Sequence, residues 1–345
     1  MKSTIIILTD YKGYFGSKWD SVPYRSGFNK LLLEKYFKVF NYKVKFVCMS
    51  DISTIGDVSG LNVLYTSSED KGYHYKDFIE DVVYYLQLQG ANIIPGYSFL
   101  KANNNKVFME LLKNQVFNSN LSLKSYVFGS LEEMMKKINK IDFPIVLKEP
   151  KGALSRGVYL AKTKNDLIKL VKKITKTNYF FHNLKDDLRS FKHDNYIKES
   201  KNRKKFILQQ FIPNLTNDWK VLIYGDKYFI FERSVRNGDF RASGSGVNNY
   251  KYGSNCNYPD GIFDYVENIY STLNVPNLSI DIAFDGDKFF MLEYQAINFG
   301  TVGYTKSDVF FVKNNKKWKS VKKEKCIEQI FVESIIQYLK KNSIN

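Results

Sequence analysis

The first apolar run, Ser3 to Thr9, is short and β-branched, the pattern of a strand buried on both faces. Amphipathic spacing then predicts a helix over Phe28 to Phe40, strands over Lys43 to Met49 and Leu61 to Tyr65, a helix over Tyr73 to Leu88 and a strand over Ala91 to Pro95. Such alternation implies a doubly wound α/β domain over residues 1–96. A second segment, residues 97–205, reads as a helix over Asn103 to Asn114, a charged helix over Leu131 to Ile141, and a strand, glycine-punctuated loop and strand over Phe143 to Thr163. A helix over Asn165 to Lys176 follows. Thr177 to Lys205 is polar and basic and reads as an insertion or mobile loop. The third segment, residues 206–345, opens on the apolar strand Phe206 to Ile212. It continues with a hairpin over Trp219 to Val235 turned at Gly225-Asp226, a helix over Ile262 to Leu273, a hairpin over Ser279 to Gly300 and a closing helix over Val321 to Lys341. The fold class expected is α/β, with an α+β character overall.

Chemistry concentrates on the last hairpin, whose strands SIDIAF and KFFMLEYQ flank an Asp285-Gly286-Asp287 turn. Period-two alternation lets Asp281, Glu293 and Gln295 converge from paired strands. Two carboxylates and an amide oxygen suit Mg²⁺ that also holds phosphates. A solvated surface hairpin is the competing reading.

Several cations accompany this set. Lys106 falls in the first turn of its helix, where the macrodipole favours anions, so it reads either as facing an anion or as a solvated surface lysine. Lys148 leaves a buried strand toward a loop whose Gly152, Ser155 and Gly157 allow backbone N–H groups close to phosphate. Arg233, Arg236 and Arg241 lie within nine residues beside glycine-bearing turns, a candidate oxyanion and phosphate clamp. Gln209 and Gln210 interrupt an apolar strand and need partners, which an adenine edge would supply.

Composition narrows the classes. The 345 residues carry 52 Lys and Arg against 35 Asp and Glu, a formal charge of +17, which favours anionic partners without naming one. Hydrophobic residues make up 44%, which excludes a disordered chain. Three scattered cysteines, Cys48, Cys256 and Cys326, form neither a disulfide framework nor a zinc site, so a reducing, cytoplasmic compartment is expected. No run approaches a membrane span.

Taken in order, these pieces resemble the ATP-grasp superfamily, and within it the glutathione-synthetase-like branch that includes ribosomal-protein glutamate ligases. The resemblance implies an ATP-grasp fold preceded by a doubly wound pre-ATP-grasp domain. It implies Mg²⁺, with Mn²⁺ as the alternative ion, on Asp281, Glu293 and Gln295, where Gln replaces the usual Asn. Lys106 and Lys148 match the two ATP-binding lysines, Gly152 to Gly157, including Ser155 and Arg156, the lid, and Gln209, Gln210, Phe211 and Ile212 the adenine hinge. Asp218-Trp219-Lys220, Glu232-Arg233 and Gly238 to Arg241 match the segment that handles phosphate, with Lys220 in place of Arg and Ser243 in place of Asn. Arg241, with Arg233 or Lys220, then stabilises the transferred phosphoryl group. The activity implied is ATP-dependent joining of a carboxylate to an amine through an acylphosphate, releasing ADP and phosphate. The carboxylate could belong to a small molecule, a peptide or a sugar, and a homodimer is left open. Two other readings compete: a nucleotide-binding regulatory protein that keeps the fold without ligation, and a basic binder of nucleic acid or acidic polymer. The second lacks a recognisable nucleic-acid module.

Overall fold

A computed structural model describes residues 3–103, 105–117, 123–152, 156–177, 179–235, 240–241 and 250–343. The chain divides into two compact units, one of residues 1–103 with 215–345 and the other of residues 104–214.

The first unit begins with β1 (Ser3–Thr9), α1 (Lys30–Val39), β2 (Tyr42–Cys48), β3 (Asn62–Leu64), α2 (His74–Leu88), β4 (Asn92–Ile94) and α3 (Tyr97–Ala102). The four strands pair in parallel in the order β2-β1-β3-β4. Alternation along β1 sends Ile6 and Leu8 into a cluster with Ile79, Val83 and Leu86 of α2, and Ile5 and Ile7 into one with Leu33 and Phe37 of α1. A strand whose central residues Ile5 to Leu8 are all apolar is thereby covered on both sides, as the Ser3–Thr9 run implies.

The second unit holds α4 (Lys106–Val116), β5 (Ser125–Phe128), α5 (Leu131–Lys137), β6 (Ile145–Lys148), β7 (Val158–Ala161), α6 (Lys164–Thr175), α7 (Phe180–Lys192) and β8 (Phe206–Gln210). Its strands pair antiparallel in the order β5-β8-β6-β7. Leu147, Phe206 and Leu208 pack against Met134 of α5 and Leu167 and Val171 of α6. Capping boxes at Ser130 with Glu133 and at Thr163 with Asp166 fix where α5 and α6 start.

The chain then returns to the first unit with β9 (Asn217–Tyr224), β10 (Lys227–Ser234), β11 (Tyr250–Tyr252), α8 (Ile262–Leu273), β12 (Asn277–Phe284), β13 (Phe289–Gln295), α9 (Val302–Lys306), β14 (Val309–Asn314), β15 (Lys317–Lys322) and α10 (Ile327–Asn342). Among the described residues these strands form one sheet in the order β13-β12-β9-β10-β14-β15, with β11 also on β10. Residues 1–96, set apart in the sequence, share a core with this sheet. Phe37 of α1, Leu222 of β9, Phe229 of β10 and Phe331 and Ile335 of α10 belong to one buried cluster.

Three expectations are corrected. Thr177 to Lys205 is no featureless loop, since Phe180–Lys192 is helical. Val321 lies in β15, so the last helix starts at Ile327. Gln210 is exposed, so only Gln209 is a buried amide on β8.

Candidate nucleotide and metal site

Register decides what the hairpin β12-β13 gathers. Asp281 lies directly opposite Glu293, and Gln295 opposite Ser279, so alternation puts all four on one face. A β-bulge after Asp281 shifts the register beyond this set. On the other side of β12, Asp281 pairs with Lys220 of β9, and Asp218 of β9 lies opposite Arg233 of β10. Glu232 points to the other face, where Asn217 Nδ2 donates to its Oε1 at 3.0 Å.

The cations lock onto the acids. Arg233 donates from Nε and Nη2 to the two oxygens of Asp218 at 2.6 and 2.8 Å, and its Nη2 lies 3.0 Å from Asp281 Oδ2. Lys220 Nζ donates to Asp281 Oδ1 at 2.7 Å. Burial alone would raise the Asp281 carboxyl, but Arg233 and Lys220 outweigh it and hold the group well below the usual carboxylate range. Burial opposes the charge of Arg233 as well, yet Asp218 and Asp281 raise its pKa. Asp218 is buried with both oxygens engaged, which makes it the residue that orients Arg233.

The donor set fits a hard cation. An ionised carboxylate has about four lone-pair sites, and the two cations on Asp281 use only part of them. Among the described residues the buried Ser279 Oγ, across from Gln295, has no hydrogen-bond partner. Among the described residues no three His, Cys, Asp or Glu side chains gather to hold a metal. The hairpin thus offers two carboxylates and an amide, the sparse set on which Mg²⁺ is usually completed by phosphates and water.

In the second unit, the α4 face buried within the protein is polar. Lys106, Glu110 and Lys113 are all buried, at helical spacing. Lys113 Nζ donates to Glu110 Oε1 at 3.0 Å, and Gln209 Nε2 donates to the same oxygen at 3.4 Å. Gln209 therefore finds its partner within the protein. Among the described residues Glu110 Oε2 has no hydrogen-bond partner. Lys106 N donates to Pro150 O at 2.9 Å, tying the start of α4 to the glycine loop. Lys148 ends β6, opposite Val158 of β7 and Ile207 of β8. Glu149 N donates to Gly157 O at 2.8 Å and closes the loop at its base. Gly152 and Gly157 have φ of 140° and 73°, and a Cβ on Gly157 would lie 2.9 Å from Glu149 Cβ. Ile212 is buried and Phe211 half-buried. Arg156 is exposed. Arg241 is half-buried, 5.7 Å from the ring of Phe240. Ser155, Arg236 to Asp239 and Ser243 lie outside the described residues.

Sequence reasoning passed over three charged groups. Glu110 and Lys113 were legible as the continuation, four and seven residues on, of the face that Lys106 starts. Glu69, in the loop after β3, is the third. Desolvation raises its carboxyl while Arg25, Lys220 and Lys76 pull it back, so it shares the electrostatic field of the hairpin face. Nearby, where β3 and β4 end, a cavity of about 50 Å³ is lined by Gly16, Phe28, Thr66, Pro95, Asn277 and Asn298. It lies at the carboxyl ends of parallel strands, where α/β sheets bind ligands.

A family model described as RimK-like ATP-grasp domain matches residues 101–254. The chain has the ATP-grasp fold. A RimK domain protein ATP-grasp from Sphaerobacter thermophilus is similar over 97% of this chain and 100% of its own, with a TM-score of 0.51 at 11% identity. The D-alanine–D-alanine ligase from Bacillus anthracis complexed with ATP is similar over 99% of both chains, with a TM-score of 0.52 at 11% identity. D-cycloserine synthetase DcsG gives a TM-score of 0.57 at 9% identity, covering 98% of this chain and 100% of that one. A comparison with curated proteins finds no match. The ATP-grasp match begins five residues before α4 and ends just past β11, so it takes in the glycine loop, β8 and the β9-β10 hairpin but not Asp281, Glu293 or Gln295. No helix of the described residues is long and apolar enough to cross a membrane.

Proposed function

We propose that this ATP-grasp chain is an ATP-dependent ligase that joins a carboxylate to an amine through an acylphosphate, with release of ADP and phosphate. The observation that carries this reading is the facing pair Asp281 and Glu293, set on one sheet face beside Lys220 and Arg233. The chemistry must bring an anionic carboxylate to an anionic triphosphate. Asp281, Glu293 and Gln295 would hold Mg²⁺, or Mn²⁺ in its place, which would screen the phosphate charge. Lys106 and Lys148 would bind the α and β phosphates, and the glycine loop from Gly152 through Ser155 and Arg156 to Gly157 would cover them and exclude water. Arg241 would stabilise the phosphoryl group in transfer. Arg233 and Lys220, already held against Asp218 and Asp281, would add fixed positive charge without reorganising. The backbone of Gln209 to Ile212 would read the adenine. The amine then attacks the acyl carbon and phosphate leaves. The loop Asp10 to Arg25 and the cavity at the ends of β3 and β4 are the places where the small-molecule, peptide or sugar carboxylate would be recognised.

The test is a screen for ADP and phosphate release over pairs of carboxylates and amines. A productive pair should depend on Glu293 and on Arg241. Glu293→Ala and Arg241→Ala should each lower turnover by about 10²–10³-fold with unfolding midpoints unchanged. Near-normal turnover in either variant removes that residue from the site.

A further inference from the structure

The helix α7 is fastened by its polar side. Asp186, 3% exposed, accepts a hydrogen bond from Tyr196 Oη at 2.5 Å and another from Glu199 N at 2.8 Å. At about 100° per residue, Phe180, Phe181, Leu184, Leu188 and Phe191 fall within an arc of about 100° on the side away from Asp186. All five are exposed, from 49% at Leu184 to 91% at Phe191. Ile197, just beyond the helix, is 90% exposed. The stripe runs about 16 Å along the helix. A contiguous apolar patch of this kind marks an interaction surface, whereas single exposed side chains do not.

Charge selects the occupant. Lys192, Lys185 and Arg189 follow one edge of the stripe around the helix. Asp187 borders the other edge, and two lysines answer it: Lys198 Nζ at 2.9 Å and Lys201 Nζ at 3.2 Å. From Tyr179 to Lys205 the chain carries eight Lys and Arg against four Asp and Glu. A second copy of the chain would set two such cationic segments, and two +17 molecules, against each other. A convex row of aromatic and leucine side chains flanked by lysines suits a planar anionic surface, in which each ring can insert separately.

We propose that α7 docks this protein on an anionic lipid surface. The Phe180–Phe191 stripe enters the acyl boundary, and Lys185, Arg189 and Lys192 meet the headgroups. None of the stripe residues is among those proposed to bind nucleotide, and the proposal stands whatever reaction the chain performs.

Sedimentation of the full chain with vesicles tests it. Vesicles of phosphatidylcholine are compared with ones containing about 30% phosphatidylglycerol, at about 0.1 M and about 0.5 M salt. The expected result is at least tenfold tighter binding to the anionic vesicles, weakened at the higher salt. Phe181→Ser with Phe191→Ser, and separately Lys185→Glu with Lys192→Glu, should each lower binding at least tenfold while the circular dichroism spectrum is kept. Phe191→Trp should shift its emission to the blue on adding anionic vesicles. Absent binding to anionic vesicles, binding indifferent to the two serines, or a tryptophan left in water would overturn the proposal. So would stripe-dependent binding to an acidic polypeptide such as polyglutamate without binding to vesicles.

Discussion

Arg233 is the residue on which the hairpin face turns. It is buried, and it bridges Asp218 and Asp281 across three neighbouring strands. Its removal leaves the buried Asp218 without its counter-charge. Arg233→Ala should therefore cost about 3–5 kcal/mol of stability, read from urea unfolding, while Arg233→Lys should keep part of it, since a single ammonium cannot reproduce the forked contact. A loss below about 1 kcal/mol in the alanine variant would show that Asp218 is solvated. Residue identities were legible here because period-two alternation is a strong constraint: Asp281, Glu293 and Gln295 needed only a correct hairpin. Their partners were not. Nothing in the spacing of Asp218 and Lys220 says that an acid and a base one pleat apart will both converge on the Asp281–Arg233 pair, because that follows from β9 lying between β12 and β10, a long-range pairing. The pairing of Gln209 with Glu110 was hidden for the same reason: 99 positions separate them.

At the scale of elements, the glycine loop between β6 and β7 makes the sharpest statement. Gly157 has a φ of 73° and its missing Cβ would press on Glu149. Gly157→Ala should cost about 1–2 kcal/mol by chemical unfolding and should slow any turnover that needs the loop closed. Gly96, with ordinary φ and open space around it, is the control: Gly96→Ala should be near neutral. An equal effect at both positions would refute the conformational argument. Among elements, strongly periodic ones were the readable ones, such as α1, α2, α6, α8 and the two long hairpins. The helix α7 was misread because its apolar residues face outward, so the basic, aliphatic-poor composition dominated. The strand β15 was missed because Lys317–Lys322 is an exposed polar edge strand, LysTrpLysSerValLys, with little apolar alternation to mark it.

For the molecule as a whole, the first unit is closed by α10, whose Phe331 and Ile335 complete a core shared with β1 and with the long sheet. A charged clasp secures it. Lys227, after the β9-β10 turn, pairs with Asp226 at 2.7 Å and with Glu333 of α10 at 3.2 Å, and Gln337 Nε2 donates to Asp226 at 3.1 Å. Burial alone would raise both carboxyls. Lys227 and Gln337 at Asp226, and Lys325, Lys227 and Gln329 at Glu333, lower them instead. Depressed carboxyls contribute fully above their unfolded values, about 3.9 and 4.3, and the contribution fades as pH falls through the lower folded values. Unfolding midpoints should accordingly drop below about pH 4, and Asp226→Asn with Glu333→Gln should flatten that fall. An acid limb unchanged in the double variant would assign it to other carboxylates. The two-unit division was only partly visible in the sequence. Residues 1–96 carry their own complete strand–helix pattern, and nothing local shows that Ile5 and Phe37 will share a core with Leu222 and Phe331.

The central claim is that the face bearing Asp281, Glu293 and Gln295 gathers a magnesium–nucleotide complex. Calorimetric titration of ATP into the protein tests it most directly, run with Mg²⁺, with a chelator, and in Glu293→Gln with Mg²⁺. ATP binding that weakens at least tenfold under chelation and again in Glu293→Gln is the result this account requires. ATP binding that is equally tight with and without the metal, or indifferent to Glu293, would contradict it.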